Sequence, residues 1–136
     1  LAVAKKEQME PEKLVKLVAA GQVVIPANKC HTCLDPNGIG SALRTKINVN
    51  LGTSRDLNDL DMELQKVNDA VAMGAESIMD LSSFGDTQKF RRKLTAECPA
   101  IIGTVPIYDA VVYYHKPLRK NGCRSRKCTQ KTALIS

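Results

Sequence analysis

The sequence predicts an α/β fold in which successive βα units form a parallel sheet. Short apolar strand cores, Ile78-Met79 and Ile101-Ile102, are separated by amphipathic helical segments, which is the pattern of a parallel sheet. The strands also begin roughly 24–31 residues apart, the usual length of a βα unit. A barrel and a doubly wound sheet both fit these two observations.

Residues 1–44 are predicted to hold a helix followed by a loop rich in glycine and proline. The helix covers residues 9–21, with Pro11 in its first turn, an apolar stripe of Leu14, Leu17 and Val18, and Gly21 at its end. A short apolar run follows, and residues 26–45 form the loop.

Cys30 and Cys33 form a C-x-x-C pair within this loop. Such a pair can be half of a zinc site or a redox pair. A structural zinc needs four ligands, and the second pair would have to be Cys123 and Cys128, whose spacing does not suit a zinc knuckle. Five cysteines without a secretory context also argue against a disulfide scaffold. We therefore predict free thiols and no metal ligand in this chain.

Residues 45–118 are predicted to contain three βα units. The alternating apolar and polar residues of 46–51 predict the first strand, and the Gly-Thr-Ser that follows is turn chemistry. Helical spacing of apolar residues, with Phe90 and Leu94 facing inward in the second helix, gives the remaining elements. The predicted order is strand 46–51, helix 60–73, strand 77–81, helix 86–98 and strand 100–105.

Polar residues follow three consecutive predicted strands, at the carboxyl ends where parallel sheets bind ligands. The three strand ends read Asn48-Val49-Asn50, Met79-Asp80-Leu81-Ser82 and Gly103-Thr104-Val105-Pro106-Ile107-Tyr108. The two asparagines point the same way from a strand, so they either grip a polar ligand or form an ordinary solvated face. Asp80 and Ser82 either belong to a site or cap the next helix. Tyr108 could instead be a packed ring with a bonded hydroxyl.

Several longer segments resemble one known family. They are residues 24–28 (VIPAN), 38–40 (GIG), 43–54 (LRTKINVNLGTS), 78–82 (IMDLS) and 102–110 (IGTVPIYDA). In order and spacing they are similar to the N-terminal half of the phosphomethylpyrimidine synthase (ThiC) family. The resemblance implies a partial (β/α)8 TIM-type barrel, consisting of its first three βα units after a short helical N-terminal segment. It also places the family's substrate contacts on Asn50, Met79 and Tyr108.

The activity implied by this resemblance is that of a radical S-adenosylmethionine lyase of thiamine biosynthesis. Such an enzyme converts 5-aminoimidazole ribonucleotide to 4-amino-2-methyl-5-phosphomethylpyrimidine, with a 4Fe-4S cluster, S-adenosylmethionine and zinc as cofactors, and is expected to be a homodimer. The later strands and the motifs that hold the cluster and the zinc are absent from this sequence. We therefore expect no catalytic residue here and no activity from this chain alone.

Two alternatives stay open. The paralogous 5-hydroxybenzimidazole synthase acts on the same ribonucleotide in anaerobic cobalamin synthesis, and nothing in residues 1–118 separates it from the thiamine enzyme. An inactive remnant or a small binding protein is the alternative of another class.

The net charge of +6 comes from the last residues of the chain. Residues 119–136 hold six of the 20 Lys and Arg residues and no acid, so residues 1–118 carry 14 basic and 14 acidic groups. We interpret 119–136 as a basic unstructured tail from a frameshifted or misassembled reading frame, with an arm that touches nucleic acid as the alternative.

Few aromatic residues argue against base stacking, so no nucleic-acid partner is expected. The absence of a signal layout or of an apolar run of about 18 residues predicts a cytoplasmic chain without a membrane span.

Overall fold

The structure, a computed structural model, describes residues 1–121. Its elements alternate between helices and short strands, as the sequence predicts for the central region. In chain order they are α1 (Ala2–Lys6), α2 (Pro11–Ala19), β1 (Val23–Val24), β2 (Ile39–Gly40), β3 (Asn48–Leu51), α3 (Leu60–Ala72), β4 (Ser77–Asp80), α4 (Thr87–Glu97), β5 (Ile101–Thr104) and α5 (Pro106–Asn121). Of the predicted tail, residues 119–121 continue α5, and residues 122–136 lie outside the described part.

The N-terminal segment packs into a small unit of its own. Pro11 opens α2 at its first position and Gly21, with a φ of 70°, follows its end, both as predicted. Leu14 on α2 is buried with Val3, Ala4 and Val23 in one apolar cluster. The sequence patterns did not predict α1 or β2, and β2 pairs antiparallel with β1 inside the predicted loop.

The predicted parallel sheet is confirmed. It has three strands in the order β3-β4-β5, and both pairings are parallel. The register aligns Asn50 with Met79 and Met79 with Gly103, while the next row joins Leu51, Asp80 and Thr104. The described strands form an open sheet and not a closed barrel.

The two faces of this sheet differ in the elements that pack against them. One face packs against α3 and α4, with Ile78, Phe90 and Leu94 at the centre of the main core. Successive side chains on a strand point to opposite faces, so the side chains of the other rows lie on the second face. We call this second face the open face. Its exposed or half-buried members are Asn48 and Ser77 at the strand starts, and Asn50, Met79 and Gly103 nearer the carboxyl ends. Ile101, in the row of Ser77, is buried.

Asp80 and Ser82 do not cap α4, so that alternative is wrong. Asp86 caps α4 by accepting a hydrogen bond from the Lys89 amide at 3.0 Å. The loop after β4 runs from Leu81 to Asp86 before the helix begins, so a residue at the strand end lies too far from the helix to cap it.

Among the described helices, none is long and apolar enough to cross a membrane.

Candidate functional site at the strand ends

Asn50 and Met79 lie side by side on the open face, at the carboxyl ends of β3 and β4. They are register partners in the parallel ladder. The side-chain oxygen of Asn50 accepts a hydrogen bond from the side-chain nitrogen of Asn48 at 2.9 Å. The side-chain oxygen of Asn48 in turn accepts one from the Ser77 hydroxyl at 2.9 Å. These bonds orient Asn50 so that its amide nitrogen is the atom placed to donate to a ligand.

Gly103 leaves room for the Met79 side chain. A Cβ at Gly103 would stand 2.9 Å from the Met79 methyl carbon and 3.0 Å from its sulfur, so the thioether lies over the bare backbone of β5. Sequence reasoning did not single out this glycine. The signal was a glycine inside a strand pattern, which often marks the close approach of another group.

Tyr108 is not at a strand end, as the sequence reasoning assumed, but in the first turn of α5. β5 ends at Thr104 and α5 begins at Pro106, because the fixed φ and missing N–H of proline suit the first position of a helix. Tyr108 is 39% exposed, so the rest of the protein covers its side chain only in part. It remains at the same end of the sheet as Asn50 and Met79, on the connection that leaves β5.

Hydrogen bonds join the loop after β3 to the loop after β4. The Thr53 amide donates to the Ser82 hydroxyl at 3.0 Å, and the Thr53 hydroxyl donates to the Phe84 carbonyl at 2.6 Å. Gly52 has a φ of 147°, and a Cβ there would stand 2.5 Å from the Ser82 amide nitrogen. Only glycine therefore fits where these two loops meet.

A buried glutamate fixes the same loop from the helix side. Glu63 on α3 is 1% exposed and accepts a hydrogen bond from the Gly52 amide at 2.8 Å. Lys66, one turn later, pairs with the other carboxylate oxygen at 2.6 Å. The turn that follows Asn50 is thus held both by β4's loop and by α3.

A second network joins the end of β4 to the start of α5. Asp80 is fully buried and accepts hydrogen bonds from the Ser82 amide at 2.9 Å and from Arg91 Nε at 2.7 Å. Arg91 Nη1 also pairs with Asp109, which accepts a further bond from the Thr87 hydroxyl at 2.9 Å. Burial alone would lower the pKa of Arg91, but the bonds and charges of the two aspartates outweigh it and raise that pKa. Arg91 is therefore a permanent cation between two carboxylates.

Charged pairs at the opposite end of the sheet tie the N-terminal segment to the strand starts. Glu7 pairs with Lys46, and Glu76 pairs with Arg44. Burial opposes ionisation of both glutamates, but other interactions lower the pKa of each below its ordinary value. For Glu7 these are the hydrogen bonds and charges of Lys46 and Arg44, and for Glu76 they are the hydrogen bond from the Ile47 backbone amide and the hydrogen bond and charge of Arg44. These pairs stabilise the fold and lie away from the candidate site.

Cys30, Cys33, Cys98 and His31 do not form a metal centre. Cys33 donates to the Cys98 carbonyl at 3.2 Å, and His31 Nε2 contacts the same oxygen at 2.6 Å. Burial raises the pKa of the Cys98 thiol, which keeps it protonated and a poor ligand. No group of three or more potential ligands converges among the side chains that the structure describes. Cys123 and Cys128 lie outside the described residues.

Comparison with known proteins agrees with the segments that carry the resemblance. The sequence model of the Radical SAM ThiC family matches residues 1–130. The phosphomethylpyrimidine synthase of Clostridium botulinum (strain Okra / Type B1) is 62% identical over 117 residues, which cover 86% of this chain and 27% of that protein. The phosphomethylpyrimidine synthase of Clostridium novyi (strain NT) is 61% identical over the same shares. The chain thus spans about a quarter of the length of these relatives.

Proposed function

The chain belongs to the Radical SAM ThiC family, and from this membership we propose that it supplies one wall of the substrate site of a phosphomethylpyrimidine synthase. The proposed enzyme converts 5-aminoimidazole ribonucleotide to 4-amino-2-methyl-5-phosphomethylpyrimidine in thiamine biosynthesis. The names of the relatives support this reaction over that of the paralogous 5-hydroxybenzimidazole synthase.

The observation that carries the proposal is the row of Asn50, Met79 and Gly103 near the carboxyl end of the sheet, on the face opposite α3 and α4. Ligands of parallel α/β folds bind at that end. We propose that the Asn50 amide donates to an oxygen of the ribonucleotide and that the Met79 thioether packs on an apolar part of it. The Tyr108 hydroxyl would donate to a second polar group from the start of α5.

We also propose that this sheet is the beginning of a (β/α)8 barrel. In such a barrel the helices form the outer ring and the inward side chains fill the centre. The helix-covered face here would be the outer side, and the open face would point toward the barrel interior. A barrel needs about 250 residues, so further strands of the same enzyme would complete it. A cytoplasmic homodimer remains our expectation for the whole protein.

The family name implies S-adenosylmethionine and an iron–sulfur cluster, and we propose zinc as a further cofactor. The described residues do not fit either metal group, because no three suitable side chains converge among them. We therefore derive no step through these groups from this part of the chain. Its own residues would bind and orient the ribonucleotide.

A hybrid enzyme tests this proposal. The 117 residues of this chain that align with the Clostridium botulinum relative would replace the matching segment of that enzyme. The purified hybrid would be assayed anaerobically for deoxyadenosine and for the phosphorylated pyrimidine. We expect both products, and a raised KM for the ribonucleotide in the Asn50→Ala hybrid. Asn68→Ala, an exposed change on α3, is the matched control. A folded hybrid that carries its cluster but forms neither product would contradict the proposal.

A further inference from the structure

We infer that Arg91 is a positioning residue that fixes Tyr108 relative to Met79. Its guanidinium holds two carboxylates, Asp80 and Asp109. Each of these follows a proposed substrate contact in the chain: Asp80 comes directly after Met79, and Asp109 comes directly after Tyr108. The inference rests on the proposed function only for the role of Met79 and Tyr108 toward the ligand.

The end of β4 carries the proposed ligand contact on one face of the sheet and the aspartate that binds Arg91 on the other face. Met79 lies on the open face, and Asp80, the next residue, is buried under α4. Arg91 reaches Asp80 from α4 with its Nε at 2.7 Å, and its Nη1 pairs with Asp109 in the first turn of α5. One side chain therefore connects the end of β4 with the start of α5.

Arginine suits this task better than lysine would. Its planar guanidinium presents several donors in fixed directions, whereas lysine carries a single ammonium on a flexible stem. The side chain of Arg91 is 16% exposed, that of Asp109 is 11% exposed and that of Asp80 is fully buried. Solvent screens such pairs weakly, so both bonds persist and set an angle as well as a distance.

The Thr87 hydroxyl supports the same connection. It donates to the other oxygen of Asp109 at 2.9 Å, so two residues of α4, one turn apart, hold the first turn of α5. Loss of these bonds would leave α5 attached through the chain at Val105 and through burial of Ala110. Tyr108 would then keep its helix but lose its fixed position relative to Met79.

Fluorine NMR of the full chain, labelled with meta-fluorotyrosine and free of ligand, tests this inference. The chain has three tyrosines and no tryptophan, and Tyr108→Phe identifies the signal of Tyr108. We expect Asp109→Asn and Arg91→Lys to shift or broaden that signal by several line widths. Glu76→Gln is the matched control, because Glu76 is also a carboxylate paired with an arginine and 11% exposed, but it lies at the start of β4.

An unchanged Tyr108 signal in folded Asp109→Asn and Arg91→Lys proteins would overturn the inference, as would an equal shift in Glu76→Gln. Circular dichroism establishes that each variant is folded. Asp109→Asn keeps the Asp80–Arg91 pair and is the milder of the two. Thr87→Val removes only the hydrogen bond from the Thr87 hydroxyl to Asp109. If both charge variants unfold, this variant tests the inference: we expect a smaller shift of the Tyr108 signal, and an unchanged signal would overturn it.

A ligand titration separates this inference from the proposed function. In the hybrid enzyme we expect Asp109→Asn to weaken binding of the ribonucleotide about three- to tenfold, the effect of one hydrogen bond, and Glu76→Gln to leave it unchanged. In a Tyr108→Phe background the same Asp109 change should have no further effect. Failure of the unsubstituted hybrid to bind would contradict the proposed function, and the ligand-free NMR result would still decide the role of Arg91.

Discussion

Replacing Gly103 by alanine should change ligand binding while leaving the fold intact. The new Cβ would stand 2.9 Å from the Met79 methyl carbon and 3.0 Å from its sulfur, whereas carbon atoms in contact prefer about 3.5–4.0 Å. Met79 must therefore move its end by roughly 0.5–1 Å. Its three rotatable bonds make such movement possible, at a cost of about 0.5–1.5 kcal/mol if one torsion leaves its preferred value.

The loss of backbone freedom in the unfolded chain offsets this cost. Alanine in place of glycine at a compatible position stabilises a protein by about 0.4–1 kcal/mol, and Gly103 is not among the glycines with positive φ. The free energy of unfolding should therefore stay within about 1 kcal/mol of its original value. Binding of the ribonucleotide by the hybrid enzyme should weaken, because the displaced thioether no longer occupies its position beside Asn50.

Urea unfolding followed by circular dichroism and calorimetric titration of the ribonucleotide measure the two effects. Gly38→Ala is the control, because its Cβ would also meet side-chain carbons, at 2.7 Å from Leu43 and 3.0 Å from Val3, but within the N-terminal cluster. It should lower stability and spare binding. A fall in stability of more than about 2 kcal/mol for Gly103→Ala, or unchanged binding, would refute this reasoning about Met79.

Three further predictions concern the fold. Stability should be fully present above the ordinary glutamate pKa of 4.5 and should fall as the pH drops through the lowered pKa values of Glu7 and Glu76; an acid titration in which Glu7→Gln loses stability as steeply as the original chain would contradict this. Ile78→Ala should lower the free energy of unfolding by about 2–5 kcal/mol, because the side chain is fully buried, and a urea melt measures it. Asp59→Ala should cost about 1 kcal/mol in the same assay, since Asp59 caps α3 through the amides of Asp61 and Met62.

The sequence predicted the parallel sheet and its helices because their signals are local. Helical spacing of apolar residues and terminal residues such as Pro11 fix where helices run. β2 was missed because two residues, Ile39 and Gly40, form a strand only through pairing with β1. Tyr108 was misplaced because the predicted strand was extended to Val105, and the helix start at Pro106 was not considered.

The candidate site was predictable only in part for the same reason. The period of two along β3 identified Asn50, since it depends on one strand alone. The role of Gly103 depends on the register between β4 and β5, and that of Arg91 depends on contacts among three elements. Such relations between distant segments have no pattern of their own in a single sequence.

The alternation of Met79 and Asp80 along β4 has a consequence for how this protein can change. Substitutions at the open-face positions leave the buried network untouched, so ligand specificity can be altered there with little effect on folding. A single-residue insertion at the start of β4, before Ile78, would instead exchange the two sets of side chains. Ile78 and Asp80 would then face the ligand, and Met79 would lie under α4. Residues on the open face of β4 can therefore be replaced without disturbing the buried network, whereas a change in the length of the strand would disturb it.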